Sequence, residues 1–243
     1  MQLTAFQGRQ QVESCNVESC NGQLPVTFLC ANIGNAMESE AVKHLKSVDP
    51  VLERLIAKIG HVSLEARRAP PFQSLIHAIA HQQLHGKAAN TILSRFRALF
   101  GNVAFPTPEQ IREMDLEKIR AVGFSRAKAM YVYDVAERAI NGLIPTMAQC
   151  KKRTDAEIVK QLTEIKGVGR WTAEMFLMFN LGRPDVLPIH DFGVRKGFQI
   201  AYEKRKMPEP EQLEKFGKRW SPHRSTAALY MYRAADLLKD GEW

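Results

Sequence analysis

Residues 154–196, TDAEIVKQLTEIKGVGRWTAEMFLMFNLGRPDVLPIHDFGVRK, decide how this chain folds. Thr154, with Glu157 three positions on, is a capping-box start, and Ile158, Leu162 and Ile165 recur behind it at helical spacing. Lys166-Gly167-Val168-Gly169 breaks that helix. A second apolar-faced helix follows through Trp171, Met175, Phe176 and Phe179, closed by Gly182 and Pro184, and a short turn delivers Asp191 at the mouth of a third. A helix, a glycine hairpin and a second helix together make a backbone anion site. The two glycines can take positive φ and let a ligand come close. Amide groups at Gly167, Gly169 and the start of the next helix then point outward with the helix dipole behind them. Nothing in the hairpin reads a base. It suits a DNA phosphate.

Working outward, the remaining segments read as helices. Asp49 caps a helix with Pro50 at its first position, Leu52, Leu55, Ile56 and Ile59 inward, and Gly60 as its stop. A basic loop, Glu65 to Pro71, leads to a helix over Phe72–Leu84 with Phe72, Leu75, Ile76 and Ile79 on one stripe. Lys87–Phe100 carries Ala89, Ile92, Leu93, Phe96 and Leu99. Thr107-Pro108-Glu109-Gln110 opens a pair of short helices to Val122, and Ser125 caps another to about Ile140, closed by Gly142 and Pro145. After Asp191 a helix runs to Tyr202, then a loop with Lys204, Arg205 and Lys206. A short helix covers Pro208–Phe216, and Ser221-Pro222 starts the last one, with Ala227, Ala228, Met231, Ala235 and Leu238 inward. No stretch alternates at period two, so the chain is expected to be all-α. Residues 1–36, rich in Gln, Asn, Ser and Gly, read as a loose extension.

The chain has 243 residues, enough for one domain or two small lobes, and a net charge of +8 that suits a polyanionic partner. Its cysteines, Cys15, Cys20, Cys30 and Cys150, form neither a disulfide framework nor a zinc spacing, so a reducing interior is expected. Apolar runs fall short of a membrane span. Leu24–Ile33 is only a short lookalike of a signal peptide, without a clear cleavage site.

The stretch IKGVGRWTAEMF…GRPDVLPIHDFGVRK resembles the helix-hairpin-helix DNA glycosylases, in particular their 3-methyladenine (alkylpurine) branch. The resemblance runs from about Met37 to Lys239. A GVG hairpin occurs in many DNA-binding proteins. GVGRWTAE followed 22 residues after Gly169 by an Asp in LPxxDxxxRK is far more specific. It implies a two-lobed helical fold with DNA in the cleft: residues 37–71 plus 188–243 as the terminal lobe, and 72–187 as the central lobe carrying the hairpin.

The resemblance makes Asp191 the catalytic residue. By spacing alone it is a helix N-cap, and the two roles are compatible, because a helix N-terminus favours an anion. Cleaving a base from deoxyribose develops positive charge on the sugar, which a carboxylate within about 3–4 Å stabilises while orienting the attacking water. Cationic 3-methyladenine and 7-methylguanine leave as neutral bases and need little acid catalysis. Bifunctional members carry a Lys where this chain has Trp171, and an indole cannot form a Schiff base. A monofunctional enzyme is therefore expected, with Trp171 either a core aromatic or a wall stacking on a flipped base. Met175, Phe179, Trp220 and His223 are further base-pocket candidates.

For DNA contact the resemblance points to Gln83, Leu84 and His85 as the wedge that fills the stack after flipping. Lys166, Gly167, Gly169, Arg170 and Thr172 would serve the phosphate grip. It also implies a monovalent cation, Na⁺ or K⁺, on the carbonyls of Thr163, Ile165 and Val168. An iron–sulfur cluster is excluded, since no cysteine follows Cys150. His77, His81 and His85 share a helical face at zinc-binding spacing but lack a carboxylate or thiol companion. They read better as solvated or core-edge residues. Many relatives carry an acid where this chain has His190. The expected partner is duplex DNA containing alkylated bases, bound by a monomer with no membrane association and no organic cofactor. The expected compartment is the cytoplasm and nucleoid of a bacterium or the nucleus of a eukaryote. A silent homologue that binds abasic or distorted DNA, and a glycosylase for deaminated bases, are the alternatives.

Overall fold

The computed structural model describes residues 39–84, 86–101 and 103–239, with 238 and 239 described by main chain alone. The N-terminal extension, three of the four cysteines, the Leu24–Ile33 segment and His85 lie outside the described residues. Those described are helical, with no strand among them.

Thirteen α-helices follow in order: α1 (Glu40–Val48), α2 (Pro50–Ile59), α3 (Pro71–His81), α4 (Gly86–Ala98), α5 (Pro108–Glu113), α6 (Leu116–Ala121), α7 (Arg126–Ile140), α8 (Met147–Lys152), α9 (Asp155–Thr163), α10 (Arg170–Met175), α11 (Phe192–Ala201), α12 (Pro210–Gly217) and α13 (Arg224–Lys239). A π-helix, Phe176–Leu181, continues α10, and a short 3-10 turn, Lys218–Trp220, continues α12. Local chemistry sets many of the boundaries. Asp49 accepts from Val51 and Leu52 amides to start α2, and Gly60 ends it at φ +82°. Reciprocal capping boxes start α5, α8 and α9, where side chain and backbone satisfy each other's orphan donors.

Two groups of helices pack around one continuous apolar core. α1, α2, α11 and α13 form the first, joined by the 3-10 turn. α3 packs on α4, α7 and the π-helix, while α5 and α6 lie on α7 and α9 meets α10. In the first group α11 crosses α13 with backbone in contact: a Cβ on Gly197 would fall 1.8 Å from the Met231 carbonyl oxygen. Bare glycine is what lets the two helices come so close.

Several expectations need correction. α3 stops at His81, not Leu84, and α13 begins at Arg224, two residues after Pro222, because Asp185 caps it from outside. The helix after the hairpin is not α throughout: its second half opens into the π-helix. α1 and α8 were not foreseen, although Thr146 and Gln149 make a capping box at the start of α8.

Candidate functional site

Asp191 is brought to the molecule's interior by a stapled loop. Ser225 accepts from the Val186 amide at 2.9 Å and donates to the Arg183 carbonyl at 2.7 Å. Arg224 grips Asp185 with Nε and Nη2 at 2.7 and 2.9 Å. Residues 183–186 are thus tied to the start of α13, and Pro188 and Ile189 carry the chain into α11 with Asp191 as its N-cap. The carboxylate is 4% exposed. Oδ1 accepts from the Val194 amide at 2.9 Å, and Oδ2 from Trp171 Nε1 at 2.5 Å. The Tyr232 hydroxyl, on α13, donates to Met175 Sδ at 3.8 Å; burial, then the nearby Asp191 charge, keep that phenol protonated. Gly193 makes room for this, since a Cβ there would lie 2.9 Å from the Tyr232 ring.

Asp191, Trp171, Met175 and Phe179 line one cavity of about 310 Å³, at the small end of ligand pockets, roughly 300–1,000 Å³. Its second wall is α3, with Gln73, Ser74, His77 and His81, and Arg67 also lines it. The π-helix builds the far side. Its Asn180 is 4% exposed and accepts from Ala69 N–H and Ser74 Oγ while donating to the Ala69 carbonyl. The Arg67 and Arg68 amides donate to the Phe179 and Asn180 carbonyls. A basic loop is thereby strapped onto the last turn of the π-helix, whose end carbonyls have no partner within the helix. A pocket of this size, lined by aromatics and by one anion, suits one planar ring with its sugar beside the carboxylate.

His77 and His81 were expected as solvated or core-edge residues and instead line the cavity. The His77 ring stacks on Phe105 at 5.7 Å. Burial, helped by His81, Arg67 and Arg97, lowers its pKa to about 4, and burial likewise lowers that of His81. Both imidazoles are neutral at physiological pH, so the wall adds no cationic ring to Arg67. Glu174 was not foreseen either. It is 4% exposed on α10, with Oε1 2.9 Å from Arg170 Nε, and burial raises its pKa, the Asp191 charge acting in the same direction. A carboxyl from α10 thus stands near the place left by the His190 departure. No local spacing in the sequence marked it.

Two pocket candidates are misplaced. Trp220 is fully buried away from the cavity, its Nε1 donating to Asp49 Oδ2 at 2.9 Å in a cluster with Phe198, Tyr202 and Phe216. His223 packs edge-on against His44 at 5.3 Å. Both belong to the packing of α13 on α1 and α2, and neither reaches the cavity.

At the hairpin only Gly167 takes positive φ, +81°; Gly169 is extended at φ −85°. The amides of Gly167 and Gly169 make no backbone hydrogen bond among the described residues. Gly169 opens onto empty space, which is where a bulky anion would come. Lys166 and Arg170 extend exposed side chains beside it, Arg170 also holding Glu174. Thr172 departs from the expected surface role: it is 4% exposed and lines the cavity. Gln83 stands exposed at φ +55°, while Leu84 is half-buried against the core. Ile165 and Val168 turn their side chains into the core, leaving their carbonyls as the groups able to meet a ligand.

Comparison with known proteins agrees with this geometry. The sequence profile of the HhH-GPD superfamily base excision DNA repair protein matches residues 76–223. DNA-3-methyladenine glycosylase 1 of Schizosaccharomyces pombe is 39% identical over 82% of this chain and 88% of its own length. The alkylbase DNA glycosidase-like protein mag2 of the same yeast is 35% identical over 83% and 96%. Among solved structures, the S. pombe 3-methyladenine DNA glycosylase in complex with abasic DNA aligns at TM-score 0.74, 82% of this chain and 98% of that one. A DNA-3-methyladenine glycosidase from Bacillus halodurans aligns at 0.76 with 35% identity, over 84% and 92%.

Proposed function

The chain belongs to the HhH-GPD superfamily of base excision DNA repair proteins, and from that premise we propose how it works as a DNA-3-methyladenine-type glycosylase. It binds DNA and hydrolyses the N-glycosidic bond of alkylated bases such as 3-methyladenine and 7-methylguanine. The observation that carries the mechanism is a buried Asp191 lining an aromatic cavity, its two oxygens fixed by Val194 N–H and Trp171 Nε1–H. A base extruded from the stack enters between α3 and the α10–π-helix wall. Its sugar then faces a carboxylate already oriented, whose charge stabilises the oxocarbenium ion that forms as the bond stretches. The neutral His77 and His81 spare an already cationic base further repulsion.

Trp171 occupies the place of the lysine nucleophile of bifunctional relatives, so the abasic strand leaves uncut. The Gly167 and Gly169 amides, with Lys166 and Arg170, grip a phosphate. The carbonyls of Thr163, Ile165 and Val168 are neutral hard donors of the kind a monovalent cation takes, and such an ion would add positive charge under that phosphate. The protein acts as a monomer on double-stranded DNA.

The test is release of free base from methylated duplex by wild type and by Asp191→Asn. The variant should bind abasic duplex with unchanged affinity while its release rate falls by about a hundredfold or more. Release of hypoxanthine or uracil alone would assign the enzyme to deaminated bases, and no release by wild type would make it a silent binder. A variant turning over at the wild-type rate would remove Asp191 from the chemistry.

A further inference from the structure

The glycine hairpin and the turn after α3 come from distant parts of the chain, yet they touch. Gln82 Nε2 donates to the Gly167 carbonyl at 2.7 Å, across 85 positions of sequence. Both are held from beneath by one face of α7. Lys128 Nζ donates to the Ala80 and Gln82 carbonyls at 2.9 and 2.6 Å, at the end of α3 where the helix dipole favours a cation. One turn on, the Tyr131 ring lies so close under Gly167 that a Cβ there would be 2.2 Å away. On the next turn, Asp134 Oδ2 accepts from the Lys166 amide at 3.0 Å and is steadied by Arg138 Nε at 2.9 Å. Beside this contact Gln83 is kept at φ +55°, a backbone state that a non-glycine residue holds only where its surroundings impose it.

We propose that Lys128, Tyr131 and Asp134, together with Gln82, are positioning residues that hold the turn after α3 at a fixed offset from the hairpin, so that gripping the strand and opening the base stack occur in one register. The inference rests on the reading above that this face binds DNA. Its physical basis is geometric. A phosphate seated on the hairpin fixes the strand, and a side chain entering the stack must then arrive at a set distance from it. Misplacement of about 1 Å in such an arrangement can cost about a hundredfold in rate. None of these four residues lines the cavity, so their effect must pass through the elements they join.

The experiment uses the full chain and a duplex carrying 2-aminopurine next to an alkylated base. Lys128→Met and Gln82→Leu are compared with wild type for affinity to undamaged duplex, gain of 2-aminopurine fluorescence on binding, and single-turnover base release. Affinity for undamaged duplex should stay within about twofold, because no phosphate contact is lost. Fluorescence gain and release should both fall, release by about tenfold. Lys128→Arg, which can still donate to both carbonyls, should restore them, and Met130→Ala on the exposed side of α7 should change nothing. If Lys128→Met lowers the melting temperature, Gln82→Leu carries the comparison, since Gln82 sits in a half-buried turn. Wild-type fluorescence and release in both variants would overturn the proposal. So would a parallel loss of all three readouts, which would mean the residues serve the strand grip alone. If wild type unstacks the probe but releases no base, the glycosylase reading fails while the fluorescence comparison still judges the strut.

Discussion

At the residue scale, the Asp191 carboxylate is defined by what donates to it. The Trp171 indole is both a cavity wall and one of those donors, so removing its N–H while keeping a ring separates the two roles. Trp171→Phe should slow single-turnover release by about tenfold or more, the worth of a hydrogen bond to a charged group, and leave affinity for the alkylated duplex near wild type. Equal slowing and loss of affinity would show that the ring acts by stacking instead. Asp191 was legible from local spacing as a helix cap, whereas its place in the site, like that of Trp171 as a wall, came only from the family resemblance. Gly167 and Gly169 were legible as a pair but not as individuals: one bends over Tyr131, the other leaves space for a ligand. His77, His81 and Glu174 were not legible as site residues. Whether a half-apolar helix turns such a side chain to a cavity or to solvent depends on which helix packs across from it, and no local pattern encodes that. Trp220 failed the other way, since an aromatic near a motif says nothing about a distant Asp49.

At the scale of elements, caps made boundaries readable. α2 and α7 begin and end where Asp49, Gly60 and Ser125 put them. The π-helix was invisible, because the apolar spacing of Trp171, Met175, Phe176 and Phe179 fits an ordinary helix until the strapped loop claims its carbonyls. Asp49 shows how much one cap can carry. It is 1% exposed, starts α2 with Oδ1, and accepts from Tyr202 at 2.6 Å and Trp220 at 2.9 Å with Oδ2. Asp49→Ala would leave the cap open and two buried donors unpaired, a loss of about 2–4 kcal/mol in urea unfolding. Asp49→Asn should recover part of it, since its carboxamide oxygen can still cap.

At the scale of the molecule, the all-helical character was expected from periodicity, and the fold agrees with relatives of known structure. Acid stability is a property the sequence did not suggest. The folded protein resists protonating His77 until about pH 4, whereas an unfolded chain takes up that proton near 6.5. Between those values the unfolded state binds more protons, so stability falls as pH is lowered, and its contribution is intact above 6.5. Thermal melts from pH 7.5 to 4 should show wild type losing more than His77→Phe, which keeps the stack on Phe105. Identical slopes would remove His77 as a source of acid sensitivity.

The wide turn of residues 176–181 has a consequence for how such a pocket can be altered. Because the strap of residues 67–69 hangs on Phe179 and Asn180, the cavity's far side is gauged by residue count as much as by residue type. Excising a single residue from that turn would tighten it to ordinary helix and draw the Phe179 and Asn180 carbonyls away from residues 67–69. The strap would lose its hooks, and the aperture would change shape without any wall residue being exchanged.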